Sequence, residues 1–338
     1  MLTPDEISQL AFLLYPNIVR TKPDAASTES LAARVKSLEA GLLPEDEFIA
    51  TVCWLGNCAT VHRIDQTPLP LPAITDEMQA PDLLAFPIVN DKPFPLLIEI
   101  KSRLDKRLKW SEKYLNSLRR FAECLEIPLL IAWKCGSLWS LVDHRHFEMN
   151  MTAYQLTLGR ALTEDLYCLL FRNLRIQMNP ELEFILGMEI LDDVPGDPKA
   201  LLPEASYHTK IKSAGFYLGE DELKGYPPEH MALFMSAPDD SDVRRTGKQS
   251  FQQVFRPLED SLFTLSNVFF TELSLSAGAE VIDWHSVLAA ESFKSSGPEF
   301  VKSLDSGIKN GFIRYVMDII PNTWPDFLPE ELKPGSAK

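Results

Sequence analysis

The hydrophobic pattern marks out a strand, a helix and a second strand in the first half of the chain. Leu96-Leu97-Ile98-Glu99-Ile100-Lys101 is a short apolar run. Side chains alternate along a strand, so Leu96, Ile98 and Ile100 point one way, and Leu97, Glu99 and Lys101 the other. Trp110, Tyr114, Leu118, Phe121 and Leu125 then recur at helical spacing, and Glu112, Lys113, Asn116, Arg119, Arg120 and Glu123 fill most of the remaining face. Ile127 to Trp133 reads as a second buried strand ending at Lys134. Such a crossover places its two strands parallel. Leu138 to Asp143 reads as a strand beside Ile131, and residues 58–66 as an earlier strand.

Residues 1–45 read as helical, with turns at Pro16 and Pro23. A further helix is expected around Leu162 to Leu174. The stretch from Asp192 to Pro203, rich in Asp, Pro and Gly, is a domain boundary candidate and divides the chain into 1–195 and 196–338. In the second part, Phe263 to Leu275 reads as strand-like and Ala237 to Ser250 as a polar loop. Pro298 suits the first turn of a helix and Gly311 its end, before a strand over Phe312 to Val316. The expected architecture is an α/β domain followed by a C-terminal α+β domain.

The chemistry begins where the apolar strand ends. Glu99 and Lys101 leave the same face of an otherwise apolar strand, and Asp82 lies upstream at a distance that suits a neighbouring strand. Pro-Asp occurs five times, at Pro4, Pro23, Pro81, Pro238 and Pro325, and an acid two before a lysine occurs at Glu99, Asp197, Glu222 and Glu331. Only Asp82 and Glu99 combine strand-like runs with a fitting gap. Two acids can hold a hard, oxygen-loving cation such as Mg²⁺. A lysine beside them can orient a water or neutralise developing charge, which suits phosphodiester hydrolysis.

With these residues in place, roughly 40–145 resembles the PD-(D/E)xK nuclease superfamily. The resemblance implies a restriction endonuclease-like core, a mixed sheet flanked by helices, running helix, three strands, helix, strand. It matches Asp82, Glu99 and Lys101 to the family's Asp, acid and Lys, and adds the Ile100 carbonyl as a metal ligand. Many members carry a Glu on the first helix before an apolar stretch and a Gly. Glu47, ahead of Phe48 to Gly56, is the candidate, with Glu29 and Glu45 as alternatives. Pro87 departs from the pattern, because proline is awkward in a central strand. The resemblance implies a Mg²⁺-dependent DNA endonuclease, with Mn²⁺ as a substitute, in restriction, defence or repair. The alternative is an inactive module of the same fold that binds nucleic acid or a protein. A homodimer would supply two copies for cutting both strands.

A net charge of −15 argues against a protein that coats nucleic acid. The distribution changes that picture locally. Lys101, Arg103, Lys106, Arg107, Lys109, Lys113, Arg119 and Arg120 crowd one stretch against only Asp105 and Glu112. Lys106, Arg107, Lys109, Lys113, Arg119 and Arg120 are candidate phosphate contacts. The five cysteines form no Cys-x-x-Cys pair, which points to buried thiols in a reducing cytoplasm. No run approaches a membrane span, and the start lacks a basic signal region. His144 and His146 share a short stretch, but two ligands do not complete a metal site.

Overall fold

The computed structural model describes residues 44–65, 78–136, 138–191, 208–277, 287–288, 296–330 and 333. They form a mixed α/β protein that divides into two units, the described residues up to Arg172, 287–288 and those from Ile320 on in one, and those of 173–277 and 296–319 in the other. The helices expected over residues 1–43 lie outside the described residues.

In the first unit, helix α1 covers residues 44–55. Strands β1 (Cys58–Arg63), β2 (Leu83–Val89), β3 (Lys92–Pro93) and β4 (Leu96–Ser102) follow. Then come β5 (Arg107–Ser111), α2 (Glu112–Leu125), β6 (Leu129–Cys135) and β7 (Leu138–Asp143). The main sheet has the order β1-β2-β4-β6-β7, with β3 attached to β2. Among the described strands of this sheet, only β4 and β6 run parallel, as the crossover through α2 requires. Pro87 is accommodated because β2 pairs with β4 only from Leu83 to Ala85, and Pro87 faces Cys58 beside an irregularity in β1.

The two faces of the sheet take one helix each. Phe48 of α1 packs on the rings of Trp139, Tyr167 and Phe171. Leu115, Leu118 and Ala122 of α2 pack on Leu97, Leu129, Ile131 and Trp133. Each fully buried leucine there stabilises by roughly 1.5–3 kcal/mol. The helix begins at Glu112 rather than at Trp110. Arg107 to Ser111 alternates exposed and buried and pairs with β9 (Ala153–Thr157), which pairs in turn with β8 (Glu148–Asn150). Ser111 then caps α2, its hydroxyl accepting from the Tyr114 N–H at 3.2 Å.

The helix expected around Leu162 to Leu174 is two short ones, α3 (Leu158–Thr163) and α4 (Tyr167–Phe171). Buried Asp165 explains the break: its Oδ1 accepts from the N–H of Leu141 at 2.8 Å and of Tyr167 at 3.1 Å. The chain returns to this unit after residue 319. Thr323 N–H donates to Glu164 Oε2 (2.8 Å), Arg145 pairs with Asp326 (2.6 Å), and Phe327 stacks on Phe94 (6.0 Å).

The second unit holds β10 (Arg175–Met178), β11 (Leu182–Ile190), β12 (Thr209–Leu218), β13 (Asp221–Leu223) and α5 (Pro228–Ser236). They are followed by β14 (Asp239–Arg245), β15 (Ser250–Pro257), β16 (Phe263–Thr264), α6 (Leu265–Ala277), α7 (Ser296–Lys309) and β17 (Ile313–Met317). One antiparallel sheet runs β13-β12-β11-β15-β14 and a smaller one β16-β10-β17. The first division therefore falls ahead of residue 195. The Asp/Pro/Gly-rich stretch joins two paired neighbours, with Ile190 opposite Thr209, and does not separate two domains. Two further expectations change. Leu265 to Ala277 is helical, because the fully buried Leu265, Val268 and Phe269 follow i, i+3, i+4 spacing. Ala237 to Ser250 contributes β14 to a hairpin with β15.

Replacing Asp165 with Ala should leave two buried N–H groups without their acceptor. We expect a loss of about 3 kcal/mol in unfolding free energy by urea titration.

Candidate active site

The register of the central strands brings the acids together. Leu83 lies opposite Ile98 and Leu84 opposite Leu97, so one further step places Asp82 opposite Glu99. Asp82 is tied there: its Oδ2 accepts from the Ile100 N–H at 2.6 Å. One carboxylate thus closes the end of the β2–β4 ladder in place of a backbone carbonyl.

Glu99 is 1% exposed, in the middle of an apolar sheet. Its Oε1 accepts from Lys101 Nζ and from the Tyr114 hydroxyl. Its Oε2 is buried and has no hydrogen-bond partner. Burial raises the Glu99 carboxyl above the ordinary range, and nearby Asp82 adds to this, while Lys101 and the two hydrogen bonds oppose it. Burial pulls the Lys101 ammonium down, but the Glu99 carboxylate beside it outweighs that and holds it above its usual value. Lys101 therefore stays a cation. Its Nζ lies 5.5 Å from the Tyr114 ring centre and 6.0 Å from that of Trp110.

The first helix offers Glu45 to this group. On a helix, residues two apart point about 200° apart, so Glu45 and Glu47 cannot share a direction. Glu47 is buried on the side of Phe48, where Oε2 pairs with Lys134 and Oε1 accepts from Trp139 Nε1 at 2.9 Å. Glu45 lies 3.9 Å from Arg63. Its carboxyl is raised to about 7, first by burial and then by Asp82 and Glu99, with Arg63 and Lys101 acting the other way. Glu45 therefore shares the field of the two strand acids. Neither Glu45 nor Tyr114 stands out in sequence. The helical phase set by Phe48, Val52 and Leu55 was the only signal for Glu45, and a hydroxyl on an otherwise apolar stripe the only one for Tyr114.

The basic stretch splits in two. Lys101, Arg103, Lys106, Arg107 and Lys109, with the single acid Asp105, line a cleft of about 720 Å³ floored by Trp110 and Tyr114. Arg107 and Lys109 are exposed on the same side of β5. Lys113, Arg119 and Arg120 do not line it. Arg119 turns into the fold, its guanidinium 4.7 Å from the Tyr154 ring centre and donating to the His144 carbonyl at 3.5 Å. His144 and His146 are also engaged, with the Leu129 carbonyl at 3.1 Å and Glu164 at 3.7 Å. In the second unit, Arg244 forms a two-pronged pair with Glu183.

Could these residues hold a cation? The donors at hand are hard oxygens: the unpartnered Oε2 of Glu99 and the Asp82 carboxylate, with the Glu45 carboxyl within electrostatic reach. Such oxygen donors suit Mg²⁺ or Mn²⁺ better than a metal that prefers thiolate or imidazole. Among the described residues, no three His, Cys, Asp or Glu side chains are already gathered into a cage. Any metal would therefore be held by one or two carboxylates with carbonyl and water ligands, the usual arrangement for Mg²⁺.

No protein-family model and no curated protein sequence matches this chain. Among solved structures, it is similar to Hjc, a Holliday junction resolvase from the archaeal hyperthermophile Archaeoglobus fulgidus. The two are 19% identical over 36% of this chain and 85% of that one, with a TM-score of 0.29. Among the described residues, no helix is long and apolar enough to cross a membrane.

Glu45 gives the site a pH signature. Its folded-state proton affinity exceeds that of an exposed glutamate, so the folded chain binds more protons between about pH 4.5 and about 7. Its contribution to stability is complete below that window and is lost as pH rises through it. Thermal melts of the metal-free protein should show this decline, and Glu45→Gln should flatten it. An unchanged pH slope in the variant would remove Glu45 from the group.

Proposed function

We propose that the chain is a metal-dependent phosphodiesterase that cleaves DNA. The observation that carries this reading is Glu99: a carboxylate at 1% exposure, opposite Asp82, with Lys101 on one oxygen and the other oxygen without a protein partner. A structural ion pair would be expected to satisfy both oxygens. The resemblance of Asp82, Glu99 and Lys101 to the PD-(D/E)xK pattern supports the same reading.

Asp82, Glu99 and the Ile100 carbonyl would hold Mg²⁺, with Glu45, not Glu47, as the first-helix acid. The ion, when bound, supplies Lewis-acid activation of the phosphate and of its attacking water. Everything else belongs to the chain. Asp82 and the Ile100 N–H lock the two acid-bearing strands in register. Lys101 keeps a positive charge at the cleft wall, where it offsets charge that develops on a phosphate. Arg103, Lys106, Arg107 and Lys109 hold the phosphate chain leading to it, without reading sequence.

A second reading is a nuclease-fold module that binds nucleic acid without cutting. The absence of a preformed three-ligand group among the described residues favours it. Calorimetry separates the two, since only the first requires Mg²⁺ to bind.

In Mg²⁺, Glu99→Gln and Lys101→Ala should each lower DNA cleavage by about 10²-fold or more while leaving the circular-dichroism spectrum intact. EDTA should abolish cleavage and Mn²⁺ restore it. Robust cleavage by purified Glu99→Gln protein would sink the mechanism.

Replacing Arg107 and Lys109 together with Ala should weaken binding alike for every DNA sequence and lower the slope of log affinity against log salt by about 2. Arg119→Ala, outside the cleft, should leave that slope unchanged. Fluorescence anisotropy over a salt series tests both statements.

A further inference from the structure

Glu99 offers two oxygens, and a lone lysine could swing between them. The structure supplies a second donor from a different element. The Tyr114 hydroxyl converges with Lys101 Nζ on the same oxygen, Oε1. Tyr114 is itself firmly held. Its backbone N–H is capped by Ser111, and its ring meets Trp110 edge-on at 5.2 Å and 81°. Trp110 stacks in turn on Phe147 at 4.8 Å and 21°. Phe147, Trp110 and Tyr114 thus form a run of rings rooted in the core, and its end borders the Lys101 ammonium.

We propose that Tyr114 is a positioning residue. Its hydroxyl commits Oε1 of Glu99 to the protein and reserves Oε2 for the cation. The ring, with Trp110, fixes where the Lys101 ammonium stands. This rests on the phosphodiesterase reading and adds to it a division of labour within one carboxylate. A phenylalanine would fill the same space and keep the ring against the ammonium, so the hydroxyl must be explained by what it bonds. That bond fixes the rotation of the Glu99 carboxylate. Partners that orient a metal-binding carboxylate typically contribute ten- to a hundredfold in metal affinity or activity, by this fixing alone.

The test is Tyr114→Phe in the full chain, read first by Mn²⁺ binding in electron paramagnetic resonance and then by DNA cleavage. Mn²⁺ affinity should fall about tenfold. The kcat should fall, with KM for DNA unchanged, because the hydroxyl is committed to Glu99 and the basic cleft residues that would hold DNA are left intact. The same loss of affinity should persist in a Lys101→Met background, because the hydroxyl acts on Glu99 directly. An equal affinity in parent and Tyr114→Phe, even with a lowered melting temperature, would reduce Tyr114 to a packing residue and overturn the proposal. A loss that vanishes in the Lys101→Met background would overturn it too, since the hydroxyl would then act through the lysine. A parent protein that binds no Mn²⁺ fails differently: it removes the phosphodiesterase reading and the positioning role together.

Discussion

A negative charge in the centre of an apolar sheet must be answered locally, and much of the first unit is arranged around that requirement. Glu99 is 1% exposed, so its charge must be balanced by groups directly beside it. Lys101 is available because alternation returns it to the same face two residues on. Tyr114 is available because Ser111 ends β5 and starts α2 at the right place. Shift that helix start by one residue and the phenol rotates by about 100°, away from the carboxylate. The polar centre and the apolar packing of α2 on Leu97, Ile131 and Trp133 therefore share one geometric condition.

Much of this unit was legible from spacing alone. The alternation in Leu96 to Lys101, the helical stripe through Leu118 and the run before Lys134 correspond to β4, α2 and β6. What escaped is instructive. Arg107 to Ser111 alternates with period two, but Trp110 also fits the helical stripe, and pairing with β9 from far along the chain decides the matter. The break at Glu164 and Asp165 came from two buried carboxylates with distant or local N–H partners, which hydropathy does not register. Leu265 to Ala277 is apolar enough for either state, and its helix is settled by what it buries.

The site was legible in part. Asp82, Glu99 and Lys101 stand out because charged residues interrupt an otherwise apolar pattern. On α1 the sequence pattern favours Glu47, but Glu45 and Glu47 flank the same turn, and packing turns Glu47 toward Lys134 and Trp139 while Glu45 lies within the field of Asp82 and Glu99. The basic stretch read as a single patch, yet strand β5 and helix α2 send its members to different places, and Arg119 is spent on Tyr154.

The return of residues 320–330 to the first unit governs how the chain is assembled. The second unit lies between parts of the first: Arg145, Glu164 and Phe94 meet their partners Asp326, Thr323 and Phe327 only after the intervening segments have been made. On the ribosome, then, the acid-bearing sheet can form early but stays unlatched while roughly 150 further residues are synthesised, on the order of ten seconds or more at typical elongation rates. The sheet that carries Asp82 and Glu99 thus belongs to a unit that closes last, held by residues translated well after it.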